Sequence, residues 1–436
     1  VITAQYSDSV YRQCHPWAAG VTIVLLSMVM VCSIAQTATA DAADSERSQV
    51  VPTLSQRSAK QFSRIEKSLA IALRNHREYE KTLVLLRKIE AKSSAFSAYE
   101  KAQLWRYFGF VHFSLRQHNK AISFYEKVVG HDSALPQGVV ADTLYTLGQL
   151  YFTQQQYMRA IDRLQRWLTS KDDLNADVAV LLAYSYYHTE QFVKATQFIN
   201  QAISMHEAKG LRPQERWYVL SYRLAYEQKQ YRQAVNRLTY LLNYYPKESY
   251  LRQLSALYGV LKQPKKQLAT LETLYNMKAF THAQDFINLA SLYLQQQYPY
   301  RAASILQHAL STQSIADNTQ HNALLAMAWI QAKETEKAIV SLKRAVTKSG
   351  GKNGKHYERL SLLYFDQEQY DLALSASRKA LQDPRLKQTQ KMHLLQGIIF
   401  ARRYDCASAN AAFSAIERDA AYLKQAQQWL SFCTAQ

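Results

Sequence analysis

From about residue 63 to residue 416 the chain alternates two helical patterns, each with apolar residues at i, i+3, i+4 and i+7, separated by short polar turns. A small residue returns on the second pattern of each copy: Ala121, Ala160, Ala195, Ala234, Ala302, Ala338, Ala373 and Ala407. In most copies an aromatic or similar residue stands three places earlier, as in QQYMRAIDRLQRWL and EQYDLALSASRKAL. Successive gaps are 39, 35, 39, 68, 36, 35 and 34 residues. The 68 divides into 33 and 35 at Gln267, in KQPKKQLATLETL, where glutamine takes the small position. A period of this length with two helices per copy predicts a repeat array. The expected fold is all-α, a right-handed superhelical solenoid of about ten helix-turn-helix repeats.

Packing explains the pattern. Two helices that cross closely need a small residue on each, here Gly109 with Ala121 and Gly148 with Ala160. Large residues one turn away fill the groove to the next pair, and stacking continues the core from copy to copy. The third copy is the clearest, with Leu144, Leu147, Gly148, Tyr151, Tyr157, Ala160, Leu164 and Trp167. The first is degenerate, with Ala70, Leu73, Tyr79 and Leu86 at helical spacing. Breakers mark connections at Pro136-Gln137-Gly138, Gly210 to Pro213, Pro246 and Asp383-Pro384. The longest loop, KSGGKNGK from Lys348 to Lys355, is glycine-rich and basic. It lacks phosphate-loop spacing and a preceding strand, and reads as a flexible connection.

The N-terminus differs. Val21 to Ile34 is an apolar run of 14 residues, short for a membrane span, with Arg12 before it and Ala38-Thr39-Ala40 after it. This reads as a secretory leader cleaved before Asp41, the alternative being a retained anchor. The expected division is a signal peptide over 1–40, a flexible lead-in over 41–56, the array over 57–418 and a capping helix over 419–436. Export leaves Cys406 and Cys433 as the mature cysteines. Helices over Tyr404 to Glu417 and Ala420 to Cys433, turning near Asp419, put the two cysteines 13 and 14 residues from the turn, where they become neighbours. A bridge there would contribute about 3–4 kcal/mol; buried free thiols are the alternative. The net charge of +19 suits nucleic acid, which an exported protein does not meet, so anionic envelope glycolipids, acidic peptides or solubility account for it better. No stable membrane span is expected after the leader.

The repeating segments resemble the tetratricopeptide repeat family over roughly Ser63 to Ile416, through the small residue on each helix, the aromatic between them and the repeat length. A narrower resemblance lies in NLASLYL followed by Pro299-Tyr300-Arg301-Ala302-Ala303, and in LWRYFGFVHFSLRQHNKAISFYEKVV. Both stretches are similar to exported tetratricopeptide proteins associated with TonB energy-transduction systems of Gram-negative bacteria. Membership implies a periplasmic scaffold linked to TonB-dependent uptake. Gln297-Tyr298, where glycine or alanine would be usual, and the basic balance depart from that group.

Catalytic chemistry is not indicated. His112 and His118 are six apart on different faces, and neither His-Glu-x-x-His nor Gly-x-Ser-x-Gly occurs. No metal, cofactor or enzymatic activity is expected. Asp172-Asp173 lie at an expected helix start, where they favour the helix dipole. In arrays of this kind the first helices line an inner groove. Their non-packing positions in the second to fourth copies are Arg106, Phe110, Phe113, Tyr145, Gln149, Phe152, Tyr184, Tyr187 and His188. Six aromatics there suit an extended, proline-rich peptide, such as the periplasmic segment of TonB or its inner-membrane motor proteins. The bland reading is that some of these rings pack between neighbouring helices. A second functional reading is an envelope assembly scaffold that engages polysaccharide or lipopolysaccharide machinery through a basic surface.

Overall fold

A computed structural model describes residues 52–171, 174–417 and 420–434. The apolar run at 21–34, the lead-in before residue 52 and the acidic pair at 172–173 lie outside the described residues. Among the described residues there are twenty-one α-helices and no strand. Twenty of the helices form ten consecutive hairpins. They are α1 (Gln56–Ala72) with α2 (Glu78–Glu90), α3 (Ala98–Ser114) with α4 (His118–Val129), α5 (Gln137–Thr153) with α6 (Tyr157–Lys171), α7 (Ala176–His188) with α8 (Phe192–Ala208), and α9 (Glu215–Glu227) with α10 (Tyr231–Tyr244). There follow α11 (Glu248–Val260) with α12 (Pro264–Asn276), α13 (Ala283–Gln295) with α14 (Pro299–Ser311), α15 (Thr319–Gln331) with α16 (Thr335–Lys348), α17 (Gly354–Asp366) with α18 (Tyr370–Leu381), and α19 (Thr389–Arg402) with α20 (Cys406–Ser414). The last helix, α21 (Ala420–Thr434), packs mainly on α19. The described residues divide into two compact units, with the boundary between Arg237 and Leu238.

One turn recurs inside nine of the ten hairpins. Arg116, Gln155, Glu190, Lys229, Lys262, Gln297, Lys333, Glu368 and Tyr404 all adopt left-handed backbone, with φ between 54° and 62°. In each case the next N–H donates to a carbonyl five residues back, as from Gln156 to Tyr151 and from Asp405 to Phe400. This is the Schellman closure, which satisfies the last carbonyls of the first helix. Each left-handed residue lies five places before a wholly buried alanine, except in α12, where the place belongs to half-buried Gln267. Gln267 fits because Gly259 faces it, and a Cβ there would stand 3.0 Å from the Gln267 amide nitrogen.

The same rule corrects the last repeat. Tyr404 occupies the left-handed turn position, Asp405 caps α20 by accepting from the Ser408 N–H, and the buried small residue is Ala409, while Ala407 is exposed. The helix expected over Tyr404 to Glu417 is therefore shorter, and the final spacing from Ala373 to Ala409 is 36 residues. Tyr404 looked like the aromatic that opens the second helix in other copies, but it stands two places too early. A left-handed tyrosine costs about 1–2 kcal/mol from its Cβ, and this ring is 67% exposed. Tyr404→Gly should therefore stabilise the last hairpin by about 0.5–1 kcal/mol. Slower hydrogen exchange in α19 and α20 would show it; faster exchange would refute it.

The first repeat also differs from expectation. Ala70 and Leu73 are exposed, and the face of α1 that packs is Phe62, Ile65, Leu69 and Ala72. The register is set by the start of the helix, where Ser55 caps α1 by accepting from the Ser58 N–H. Glu100 then ties this start to the next hairpin. Its carboxylate closes a capping box with Ser97 at the start of α3 and accepts from the Ser55 N–H and the Ser58 hydroxyl. Burial raises the Glu100 pKa, but the hydrogen bonds from Ser58, Ser55 and Ser97 outweigh it and hold the carboxyl at about 2.

The glycines face a different partner from the one the pattern suggested. Cβ atoms at Gly109, Gly148 and Gly397 would meet Tyr125, Leu164 and Phe413, each one turn beyond the buried alanine. The glycine makes room for the large residue, and the alanine lets the helices approach.

Candidate protein-interaction face

The nine candidate residues all fall on the first helices of three consecutive hairpins, α3, α5 and α7. In this unit α5 touches α7 and α7 touches α9 directly, so the first helices share one face of the stack. Several candidates are tied to residues of their own or the next hairpin, though none of these ties joins candidates on different helices. Arg106 accepts support from the Gln103 side chain, donating to its oxygen at 3.2 Å, and reaches Asp142 of α5 at 3.9 Å. The Tyr145 ring leans on Trp167 with centroids 6.1 Å apart. Burial, with the nearby Asp177 carboxylate, pushes its phenol up to about 12, against a hydrogen bond with Gln149. Tyr184 donates to the Arg216 carbonyl of α9 at 3.1 Å. His188 lies flat on Tyr157, with centroids 4.3 Å apart and planes 8° from parallel, and cover by its surroundings lowers its pKa.

Three of the six aromatics serve their own turns. Phe113, Phe152 and Tyr187 pack on His118, Tyr157 and Phe192, five residues later across the Schellman closure, at 5.5–6.0 Å between ring centroids. Tyr226 with Tyr231 and Phe365 with Tyr370 repeat the arrangement. Phe110 is half-buried against Tyr79 and the core of the first two hairpins. What the face offers a partner is therefore ring edges and polar ends held in place, with His188 the most open member.

Sequence reading missed a second ladder. Tyr151, Tyr186, Tyr258, Tyr293 and Trp329 each lie beneath a cation eight residues later: Arg159, Lys194, Lys266, Arg301 and Lys337, at 4.7–6.0 Å from the ring centre. Some of these rings also tie neighbouring hairpins. Tyr151 donates to Glu126 at 2.8 Å while Arg163 grips the same carboxylate at 2.9 and 3.0 Å. Tyr293 donates to Glu272 at 2.6 Å, with Arg301 at 3.3 Å from that oxygen. The signal was present as an aromatic and a cation eight apart in five copies. It was invisible as chemistry because the turn between them had not been placed.

Among the described residues no group of three metal-ligating side chains occurs, and no helix is long and apolar enough to cross a membrane. What defines the chain is its repeat. Schellman-closed hairpins recur at 33–39 residues, eight of the nine with a buried alanine on the second helix (Gln267 takes the place in α12) and eight of the nine with a small residue twelve places earlier on the first. The described helices form the stacked helix-hairpin repeat array that the tetratricopeptide resemblance implied. The ninth such hairpin carries Tyr222 at the small position, and burial with neighbouring Tyr226 drives its phenol to about 12.

No family model matches the chain, and no curated protein matches it. Solved structures do. A tetratricopeptide repeat protein from Parabacteroides merdae is 13% identical and covers 63% of this chain and 99% of its own, with a TM-score of 0.35. The TPR2AB domain of yeast Sti1, solved in complex with pHSP90, is 14% identical and covers 68% of this chain and 99% of its own, with a TM-score of 0.32. YrrB, described as a TPR protein with an unusual peptide-binding site, is 16% identical and covers 44% and 92%, with a TM-score of 0.35. Stacked helix-hairpin arrays present extended surfaces.

Proposed function

We propose that this chain is a non-catalytic scaffold of the Gram-negative periplasm that holds an extended peptide segment of a protein partner, and that the partner belongs to a TonB-dependent transport system. The observation that carries the binding face is the row of candidates on α3, α5 and α7. Several of these side chains are already fixed by contacts within their own hairpin or to the next, so a peptide meets them with little ordering left to do. A proline-rich segment, itself stiff, adds little more. Export rests on the apolar run and the small residues after it, and in that compartment Cys406 pairs with Cys433.

The geometry changes which side chains test the idea. Phe110 packs in the core, so its loss would disturb the fold. Gln149 and His188 reach the surface without filling it. Anisotropy of a labelled proline-rich TonB peptide should show binding to the mature chain, weakened about tenfold or more by Gln149→Ala with His188→Ala. Circular dichroism of the variant should be unchanged. Undiminished binding would remove this face from the reading. Failure of the peptide to bind, with salt-sensitive capture of anionic glycan instead, would favour the assembly scaffold.

A further inference from the structure

We propose that the cleft between α1 and α2 binds a phosphate-bearing amphiphile, the phosphate held by four cations and the apolar part by the floor. The cleft is independent of the α3–α5–α7 face and measures about 190 Å³. Arg57 and Arg64 line it from α1, Lys88 from α2 and Lys92 from just beyond α2. No carboxylate lines it. Among the described residues none of these four cations forms an ion pair or side-chain hydrogen bond. Elsewhere in the same unit Lys81, Arg106, Arg163 and Arg166 each reach an acid. All four are exposed, so water screens their mutual repulsion, and an anion drawn between them gains a modest attraction from each.

The shape of the charge selects the ligand. Arg57 and Arg64 lie seven residues apart on one helix, about 10 Å along its axis, and the lysines approach from the second helix. A carboxylate presents one planar edge, which a single guanidinium satisfies. A phosphate monoester carries oxygens in three dimensions and up to two charges, so it can be gripped from both helices at once. Among the apolar lining residues Leu85 is half-buried, while Ile89 and Phe96 keep only a small open edge, which together give a narrow apolar floor beside the charge. Inorganic phosphate leaves that floor wet. A phosphate with an acyl or similar group beside it covers the floor.

The test is titration calorimetry on the mature chain with dihexanoyl phosphatidic acid below its micelle concentration, inorganic phosphate, and dihexanoyl phosphatidylcholine. The expected order is phosphatidic acid first, inorganic phosphate weaker by about tenfold or more, and the zwitterion weakest. Arg57→Gln with Arg64→Gln should weaken phosphatidic acid about tenfold or more. Lys60→Gln with Lys67→Gln removes the same charge from equally exposed positions of α1 that do not line the cleft and should leave binding within about twofold. Phe96→Ala should weaken the amphiphile and leave inorganic phosphate unchanged; loss of both would mark a collapsed cleft, which hydrogen exchange in α1 and α2 would reveal. If inorganic phosphate bound as tightly as the amphiphile, the source would be a free phosphate and the role of the floor would be refuted. Equal loss in the two charge-matched variants would overturn the site in favour of diffuse attraction. Equal competition by a polyglutamate peptide would overturn the phosphate assignment.

Discussion

Gly397→Ala is expected to destabilise the last hairpin by about 1–3 kcal/mol, although glycine to alanine inside a helix ordinarily gains about 0.5–1 kcal/mol. The reason is local. A Cβ at Gly397 would stand 2.3 Å from one ring carbon of Phe413 and 2.5 and 2.7 Å from two others. Phe413 cannot easily withdraw, because it is buried in a cluster with Leu394, Ala401, Ala409 and Ile416. An aromatic ring has only two torsions with which to move aside, and interior packing leaves few voids to receive it. The hairpin must therefore open or the ring must leave its rotamer. Gly138 is the internal control, since it lies in α5 with nothing within 4 Å of its added Cβ. Gly138→Ala should follow the ordinary propensity and stabilise. Hydrogen exchange of the α19 and α20 amides reads the effect where it arises, without treating a long array as one cooperative unit. Phe413→Leu in the Gly397→Ala background should recover part of the loss, and the double-mutant cycle gives the coupling. If Gly397→Ala gained as much stability as Gly138→Ala, the packing account of these glycines would be wrong.

The repeat was legible because it rests on burial, and burial writes itself into sequence as a period. Eight of the nine small positions on the second helices, seven alanines and Gln267, were placed from spacing alone. The error at Ala407 shows the limit. Tyr404 matched the aromatic that opens α6 or α18, and only the left-handed turn, which nine hairpins share, reveals that it stands two residues earlier in the motif. That turn has no sequence signature here, because its residue is a long polar side chain in eight copies rather than glycine or asparagine. The face was half legible for a similar reason. Spacing put the nine candidates on successive first helices, and the structure places all nine on α3, α5 and α7. It could not tell that Phe113, Phe152 and Tyr187 lean on residues five later across the turn, since a ring at that helical position can point along the face or over the helix end. The cation–aromatic ladder and the α1–α2 cleft depend on which helix ends meet, and a period does not carry that information.

Trp217→Ala should cost about 3–5 kcal/mol, the range for deleting a buried large side chain, whereas Trp217→Phe should cost about 1 kcal/mol or less. Trp217 is 1% exposed and heads the fully buried side chains by size. Alanine leaves a cavity in α9 that its neighbours cannot fill without moving. Phenylalanine keeps much of the contact and removes an indole N–H that has no hydrogen-bond partner among the described residues, standing edge-on to His206 with centroids 4.5 Å apart. A buried donor left unpaired costs about 1–3 kcal/mol, so its removal offsets much of the lost area. The consequence reaches the interaction face through the next residue back. The Arg216 carbonyl receives the Tyr184 hydroxyl, so a shift at the start of α9 moves the anchor of that ring. Trp217→Ala should therefore weaken the proline-rich peptide along with local stability, while Trp217→Phe should leave both near their starting values. Urea unfolding followed by amide exchange in α8 and α9, read beside peptide anisotropy, separates the cases. Equal losses in the two variants would mean that the N–H does find a partner, and unchanged peptide binding in Trp217→Ala would mean that Tyr184 is held independently of α9.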